Sequence, residues 1–300
     1  MKTTLVNLRA VWYAIAAVLA LTSIIMLASW GLKQGIEFTG GTLMAVRFET
    51  RPSVTDVDAV LGEVASDLGS VVIQPAGEKD IQFRLKIVSE EKHQAILTGL
   101  RERFGEVTEL RYDAIGPSIG VEIRSKALTG LGISLLAILL YIAYAFRGVS
   151  APVQSWKYGI VTILASGFVV LIPLGLYAFL GHQYGIEIGT PFVAAILTIL
   201  GYSIQDTIVV MDRIRENLQK ANGTFKEIVE KSIRQTFVRS ITNSMATLLT
   251  LVAIFLYGGD SLDEFTLPLI VGITIGTFAS MLLASPLLIT VDKLGQRFKK

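Results

Sequence analysis

The 300 residues are 52% hydrophobic and 17% charged, with a net charge of +2, whereas soluble domains carry roughly 25% charged residues. Near-neutral charge gives no electrostatic footprint for nucleic acid, and the lack of cysteine excludes disulfides, thiolate metal sites and a cysteine nucleophile. Two histidines, His93 and His182, are too few for a histidine-rich metal centre.

The missing charge is concentrated in long apolar blocks, the signature of a membrane protein. The first block, 11–30, resembles a secretory signal in being preceded by Lys2 and Arg9 and in ending on Leu27-Ala28-Ser29. Its apolar run exceeds the roughly 7–15 residues of a signal core, so it is read as an uncleaved anchor. Residues 31–125 have an organisation of their own. A strand is expected at 42–48. A capping box of Ser53 and Asp56 opens a helix to Leu68, with Val57, Val60, Leu61 and Val64 on one face. A short strand follows at 71–74. Ile81, Phe83, Leu85 and Ile87 alternate with polar residues as a half-buried strand. Ser89 caps a second helix to Phe104, and 107–112 is the last strand. The order β-α-β-β-α-β is the split ferredoxin-like unit. It holds no clustered carboxylates, no metal-ligand spacing and no nucleophile with a base, and reads as a plain α+β module.

Five more spans of about 20 apolar residues are expected at 127–146, 158–180, 188–211, 241–257 and 265–291. Between the fourth and fifth, Ala221-Asn222-Gly223 forms a turn. Thr224 and Glu227 make a second capping box, and Phe225, Ile228, Val229, Ile233 and Phe237 follow helical spacing. An amphipathic cytoplasmic helix is therefore expected over 212–240. Lys and Arg fill the termini and the loops after spans two and four. The alternate loops, 181–187 and 258–264, contain neither. The positive-inside rule places both termini in the cytoplasm and 31–125 outside. The expected fold is an α-helical polytopic membrane protein: cytoplasmic N-terminus and first span over 1–30, the ferredoxin-like domain over 31–125, and spans two to six over 126–300.

No Walker-type loop, GxSxG or HExxH occurs, so neither an ATP-driven pump nor a hydrolase is expected. The informative stretch is Leu200-Gly201-Tyr202-Ser203-Ile204-Gln205-Asp206-Thr207, which interrupts the apolar fourth span. A charged carboxylate at that depth costs about 2.5–3.5 kcal/mol on insertion scales, so Asp206 must face protein or water, be protonated or have a cationic partner. Ser203, Asp206, Thr207 and Val210 fall near one face, and Gly201 would permit close helix approach. Leading into span five, Gln235, Arg239, Thr242 and Asn243 share a face. An Asp206–Arg239 pair that breaks on protonation is the outline of a proton-coupled switch. Asp212, Arg213, Arg215, Glu216 and Asn217 close span four as a charged helix end. Gly272, Gly276, Ser280 and Ala284 in span six read as a packing seam.

With these motifs on the page, the chain resembles the SecF family, the smaller membrane subunits of the bacterial SecDF protein-export complex. The resemblance rests on Gly35-Ile36-Glu37-Phe38-Thr39-Gly40-Gly41-Thr42, on Gly116-Pro117-Ser118-Ile119-Gly120, and on the run from Gly201 through Val210 into Asp212-Arg213-Ile214-Arg215-Glu216-Asn217. It implies half of an RND-type transporter in the bacterial inner membrane, completed to twelve spans by SecD. The implied activity is proton-motive-force-driven help to translocation through SecYEG on the periplasmic side, after the SecA ATPase, with the unfolded polypeptide and membrane lipid as further partners. Asp206 and Arg239 match the residues implicated in proton conduction. Protons, or sodium ions, would be the coupling ions, with no other cofactor. One departure is Ser166-Gly167, where many members carry a His-Asp pair in span three. Two alternatives stand beside this reading: a non-energised scaffold for SecD and the translocon, and half of an RND-type small-molecule exporter.

Overall fold

The computed structural model describes residues 5–64, 71–145, 155–220, 223–259 and 262–297. It divides into two compact units, Gln34–Leu128 and the remainder.

In the smaller unit, β1 (Gly41–Phe48), β2 (Val72–Ala76), β3 (Asp80–Leu85) and β4 (Val107–Ile115) form one sheet of order β2-β3-β1-β4, all neighbours antiparallel. This is the ferredoxin-like arrangement. Central β1 is paired on both edges, buries nearly every side chain and turns Met44, Val46 and Phe48 into the helix-covered core, whereas β3 alternates. The helices α3 (Val54–Val64) and α4 (Glu90–Phe104) contribute Val57, Val60, Leu61, Ile96, Leu97 and Leu100 to a core with Met44, Val46, Phe48, Ile81 and Phe83. Ser53 Oγ accepts from Asp56 N at 3.1 Å, half of the expected capping box; its own proton goes to the Asp56 carboxylate. Leu68, the expected helix end, lies outside the described residues. Ser89 occupies the N-cap position of α4 but makes no side-chain cap.

The two glycine motifs meet here. Gly35–Gly41 contains a single turn, α2 (Ile36–Thr39), after which Gly40 and Gly41 adopt φ of +74° and +124°. A Cβ on Gly40 would stand 2.7 Å from Pro117 Cα, and one on Gly120 would stand 2.9 Å from Gly40 N. Glycine is required at both positions for backbone to pass this close, and positive φ adds to the requirement at Gly40.

Six helices among the described residues are long and apolar enough to cross a membrane. These are α1 (Arg9–Trp30), α5 (Pro117–Ala145), α6 (Ser155–Tyr184), α7 (Thr190–Lys220), α8 (Phe225–Tyr257) and the run α9 (Asp263–Phe278), a π-helical turn (Ala279–Ala284) and α10 (Ser285–Arg297). Several overrun their apolar spans. Pro117 starts α5 ten residues early, a position where its missing N–H is harmless. The amphipathic helix expected over 212–240 is divided: 212–220 is the end of α7, and from Phe225 onward it is one helix with the fifth span, α8, whose N-terminus carries the complete Thr224–Glu227 capping box. Phe237, placed on the buried face by spacing, is 41% exposed. The π turn ends two residues before Pro286, whose ring would clash with the carbonyl four residues back, at Leu282 inside the turn; widening the turn there accommodates it.

Packing within this unit is tight at two small residues. A Cβ on Gly175 would lie 2.4 Å from Ser23 Cβ, and one on Gly272 would lie 2.4 Å from Ile199 Cδ1. A buried ion pair, Lys157 Nζ to Asp292 Oδ1 at 2.9 Å, joins α6 to α10, so Lys157 is interior rather than a loop cation. The segment before α1 is anchored as well. Glu230 of α8 accepts from Val6 N at 3.0 Å and Leu5 N at 3.3 Å, and Val6 is fully buried.

Candidate functional site

Asp206 lies in the middle of α7, which crosses against α8 and α9. Its carboxylate is half-buried and is held by hydroxyls rather than by a cation. Ser240 Oγ of α8 donates to Oδ1 at 2.6 Å, and Ser280 Oγ of the π turn donates to Oδ2. Hydrogen bonds to an ionised group contribute about 1.5–3 kcal/mol each, which offsets much of the cost of a carboxylate at this depth.

The expected Asp206–Arg239 ion pair is absent. Ser240 faces α7, and Arg239, its neighbour, is rotated about 100° around the helix into the open part of a cavity of about 290 Å³. That cavity is lined by Tyr202, Gln205, Asp206, Arg239, Ser240 and Asn243, among others. The structure thus gathers Asp206, Arg239, Tyr202, Gln205 and Asn243 around one space, with Gln205, Arg239 and Asn243 exposed. Ser203 and Thr207 are buried on the adjoining face of α7 and do not line the cavity. Thr207 Oγ1 donates back to Ser203 O at 2.8 Å, a local helix bond, while Ser203 Oγ has no partner. Gly201 is not a close-approach point within this chain, since a Cβ there would meet nothing within 4 Å. That role belongs to Gly175 and Gly272.

The charged end of α7 divides in two. Asp212 with Arg215, and Arg213 and Lys220 with Glu216, are local pairs at the surface. Asn217 is buried and ties α7 to α8: Nδ2 donates to Ser232 Oγ and to Gln235 Oε1, both at 2.8 Å. Arg213 Nε reaches the same Gln235 oxygen at 2.8 Å. Gln235 is thereby engaged below the Asp206 level and does not join Arg239 and Asn243 at the cavity.

Sequence reasoning missed Ser240 and took Ser280 for packing. A readable signal existed: Ser232, Thr236, Ser240 and Ser244 recur at i+4 along α8, and all four are buried. Such a stripe of small hydroxyls is the close-packing, hydrogen-bonding face of a membrane helix. Ser166, at the departure in span three, is 3% exposed with no partner for its hydroxyl, and with Gly167 it borders an apolar groove beside Ile204.

A family model described as protein export membrane protein SecD/SecF, C-terminal, matches residues 95–294, and one for the SecD/SecF GG motif matches residues 26–50. The chain belongs to the SecD/SecF family. Within that family it is 36% identical over 299 residues to protein translocase subunit SecF of Thermobaculum terrenum, covering 95% of this chain and 93% of that protein. It is likewise 36% identical to the SecF subunit of Sebaldella termitidis, covering 100% and 94%. Among solved structures, SecDF of Thermus thermophilus, described as a translocon-associated membrane protein, superposes with a TM-score of 0.84 at 32% identity. That match covers 98% of this chain and 39% of the SecDF chain. A second SecDF structure, in a super-membrane-facing form, gives 0.69 at 31% identity and covers 40% of its chain. The chain thus spans about two fifths of the SecDF chains it resembles.

Proposed function

We propose that the chain is a SecF-like subunit that uses the proton motive force to assist protein translocation through SecYEG, downstream of SecA, in the bacterial inner membrane. The observation that carries this reading is the Asp206 site: an intramembrane carboxylate, hydrogen-bonded by neutral hydroxyls and opening on a cavity shared with an unpaired arginine. A carboxylate held in this way can gain and lose a proton without breaking a structural ion pair, and Arg239 is near enough to sense the change. One charge crossing the membrane releases about 2.3 kcal/mol per 100 mV, enough to bias a two-state movement.

Exposed Gln205, Arg239 and Asn243 at the level of the spans argue for a second membrane subunit over the α7–α8 face, since lipid cannot satisfy them. SecD is the partner this favours, consistent with a chain that matches two fifths of SecDF. The Lys/Arg distribution supports cytoplasmic termini and a periplasmic ferredoxin-like domain able to meet the emerging polypeptide. The coupling ion in this reading is the proton, with sodium as the alternative, and no other cofactor is invoked. The test is Asp206→Asn in the complex with SecD, reconstituted in proteoliposomes. Loss of proton flux and of gradient-stimulated precursor release is expected; sodium flux that replaces proton flux in the wild type would change the ion; wild-type values in the variant overturn the reading.

Ser166-Gly167 favours a second reading, a non-energised scaffold, because this chain lacks ionisable groups at that point of span three. A scaffold requires that dissipating the gradient leave the chain's contribution to export unchanged.

A further inference from the structure

We propose that a cavity between the N-terminal segment and the start of α8 binds the headgroup of an anionic phospholipid, with an acyl chain lying along an exposed stripe of α8. The cavity, of about 580 Å³, is bordered by three cations, Lys226, Lys231 and Arg234, and two carboxylates, Glu227 and Glu230. Its volume falls within the roughly 300–1,000 Å³ of small-molecule sites. The proposal needs only that the helices cross a membrane, and it stands whether or not Asp206 carries protons.

The two carboxylates are already committed inside the protein. Glu227 Oε2 accepts from Thr224 N at 2.9 Å to complete the cap of α8. Buried Glu230 accepts from Leu5 N and Val6 N, and from Arg234 Nε at 2.9 Å. The cations keep donors to spare. Arg234 gives Nε alone, and its side chain is 59% exposed. Lys226 gives one of its three protons to Asn7 Oδ1. Lys231 is exposed and makes no hydrogen bond or ion pair among the described residues. Unused N–H donors of arginine and lysine suit a phosphate. Neither carboxylate is left without a partner to hold the ammonium of a zwitterionic headgroup.

The site stands at headgroup level. Gln235, next to Arg234, is bonded by Arg213 and Asn217, so this turn of α8 is level with the charged end of α7, beyond its apolar span. Further along α8 the same face turns apolar. Lys231 and Arg234 are followed at helical spacing by Val238, Met245, Leu249 and Leu256, each half or more exposed. This stripe lies about 100–140° round the helix from Arg239 and Asn243, so it is not the face argued above for SecD. Cations at one end and bare aliphatic side chains beyond them follow the order of a phospholipid, phosphate first and acyl chain after. Basic pockets between helices at the cytoplasmic side of a membrane protein hold anionic headgroups. The competing account is that these charges only set the orientation of α8.

The test titrates the full chain, purified in a non-ionic detergent, with short-chain phosphatidylglycerol, short-chain phosphatidylcholine and inorganic phosphate, and counts bound molecules by native mass spectrometry. Phosphatidylglycerol is expected to bind more tightly than the other two. Lys231→Gln should weaken it about fivefold, the equivalent of about 1 kcal/mol for one cation near a headgroup, and Arg234→Gln by about as much again. Lys220→Gln removes a charge from the surface end of α7, outside this cavity, and should leave binding unchanged. Arg234 also bonds Glu230, so Lys231→Gln, which breaks no bond, decides if Arg234→Gln fails to fold. Equal affinity for the two lipids, or equal losses in Lys231→Gln and Lys220→Gln, overturns the site. Inorganic phosphate binding as tightly as phosphatidylglycerol overturns the lipid and leaves a plain anion site.

Discussion

Arg239 and Ser240 are consecutive residues of α8, yet only Ser240 reaches Asp206, donating to Oδ1 at 2.6 Å while the guanidinium stays exposed in the shared cavity. Structural and electrostatic duties are thus divided between neighbours. Arg239 makes no ion pair with Asp206 and lines the same cavity from an exposed position.

Arg239→Gln should therefore leave the unfolding free energy of the purified chain within about 0.5 kcal/mol of wild type, as for exposed substitutions generally. Proton flux through the complex with SecD should fall sharply. Thermal unfolding in detergent and flux in proteoliposomes make the comparison; a large loss of stability would mean that Arg239 holds the bundle.

Glycines 175 and 201 should respond oppositely to alanine. At Gly175 the new methyl would stand 2.4 Å from Ser23 Cβ and 2.5 Å from Ser23 Cα, so α1 must move from α6. Overpacking of this kind costs about 1–3 kcal/mol. At Gly201 nothing lies within 4 Å, and Gly201→Ala in the isolated chain should be neutral or slightly stabilising, because alanine is the better helix former. Melting temperatures of the two variants check this directly.

The Lys157–Asp292 pair should be costly to halve and cheap to replace. Both side chains are less than a tenth exposed. Asp292→Asn leaves a buried ammonium without its counter-charge and should destabilise by about 3–5 kcal/mol. The double variant Lys157→Met/Asp292→Leu should recover most of that loss. A double-mutant cycle on unfolding measures the coupling.

Acid should weaken the pairing of the inner strands β1 and β3 of the ferredoxin-like sheet through Asp80. Arg47 Nε and Nη2 bond its two oxygens at 2.7 and 2.8 Å, and this hydrogen-bonded guanidinium holds the carboxyl below its ordinary value of 3.8. A depressed folded value means that the pair's stabilisation is fully present above pH 4 and is lost as pH falls through the folded value. Because Arg47 is largely exposed, the contribution is small, about 0.2–1 kcal/mol. Hydrogen exchange along the β1–β3 ladder should quicken in acid in the wild type and show less acid dependence in Asp80→Asn.

The sequence made some features legible because they are local or periodic. Apolar length marks a span whatever its neighbours, alternation over Ile81, Phe83 and Leu85 marks a half-buried strand that ends there, with Ile87 beyond it and exposed, and Thr224–Glu227 is a cap that depends on four consecutive residues. Asp206 stood out for the same reason, as a carboxylate inside an apolar run. Its partners did not, because they depend on three helices brought together at one depth. Ser240 was hidden by the charge beside it. Ser280 fell into a small-residue repeat that packing alone explains, and its aim at Asp206 depends on a π turn that shifts every later side chain. Gly201 was assigned a contact that lies elsewhere, since small-residue spacing says that helices can approach but not which helix does so.

The N-terminal anchor carries a consequence for the order of events on the ribosome. Val6 N and its acceptor on Glu230 are 224 positions apart, and Val6 joins a core that includes Ile214, Val229, Ile233 and Leu288. Val6 thus leaves the ribosome long before Glu230 and can reach its final place only after it. Until α8 has been synthesised, the start of α1 has neither its carboxylate nor its apolar pocket. Closure of this bundle is a late, long-range event, of the sort that slows folding, and a chain interrupted before Glu230 would leave Val6 without its acceptor.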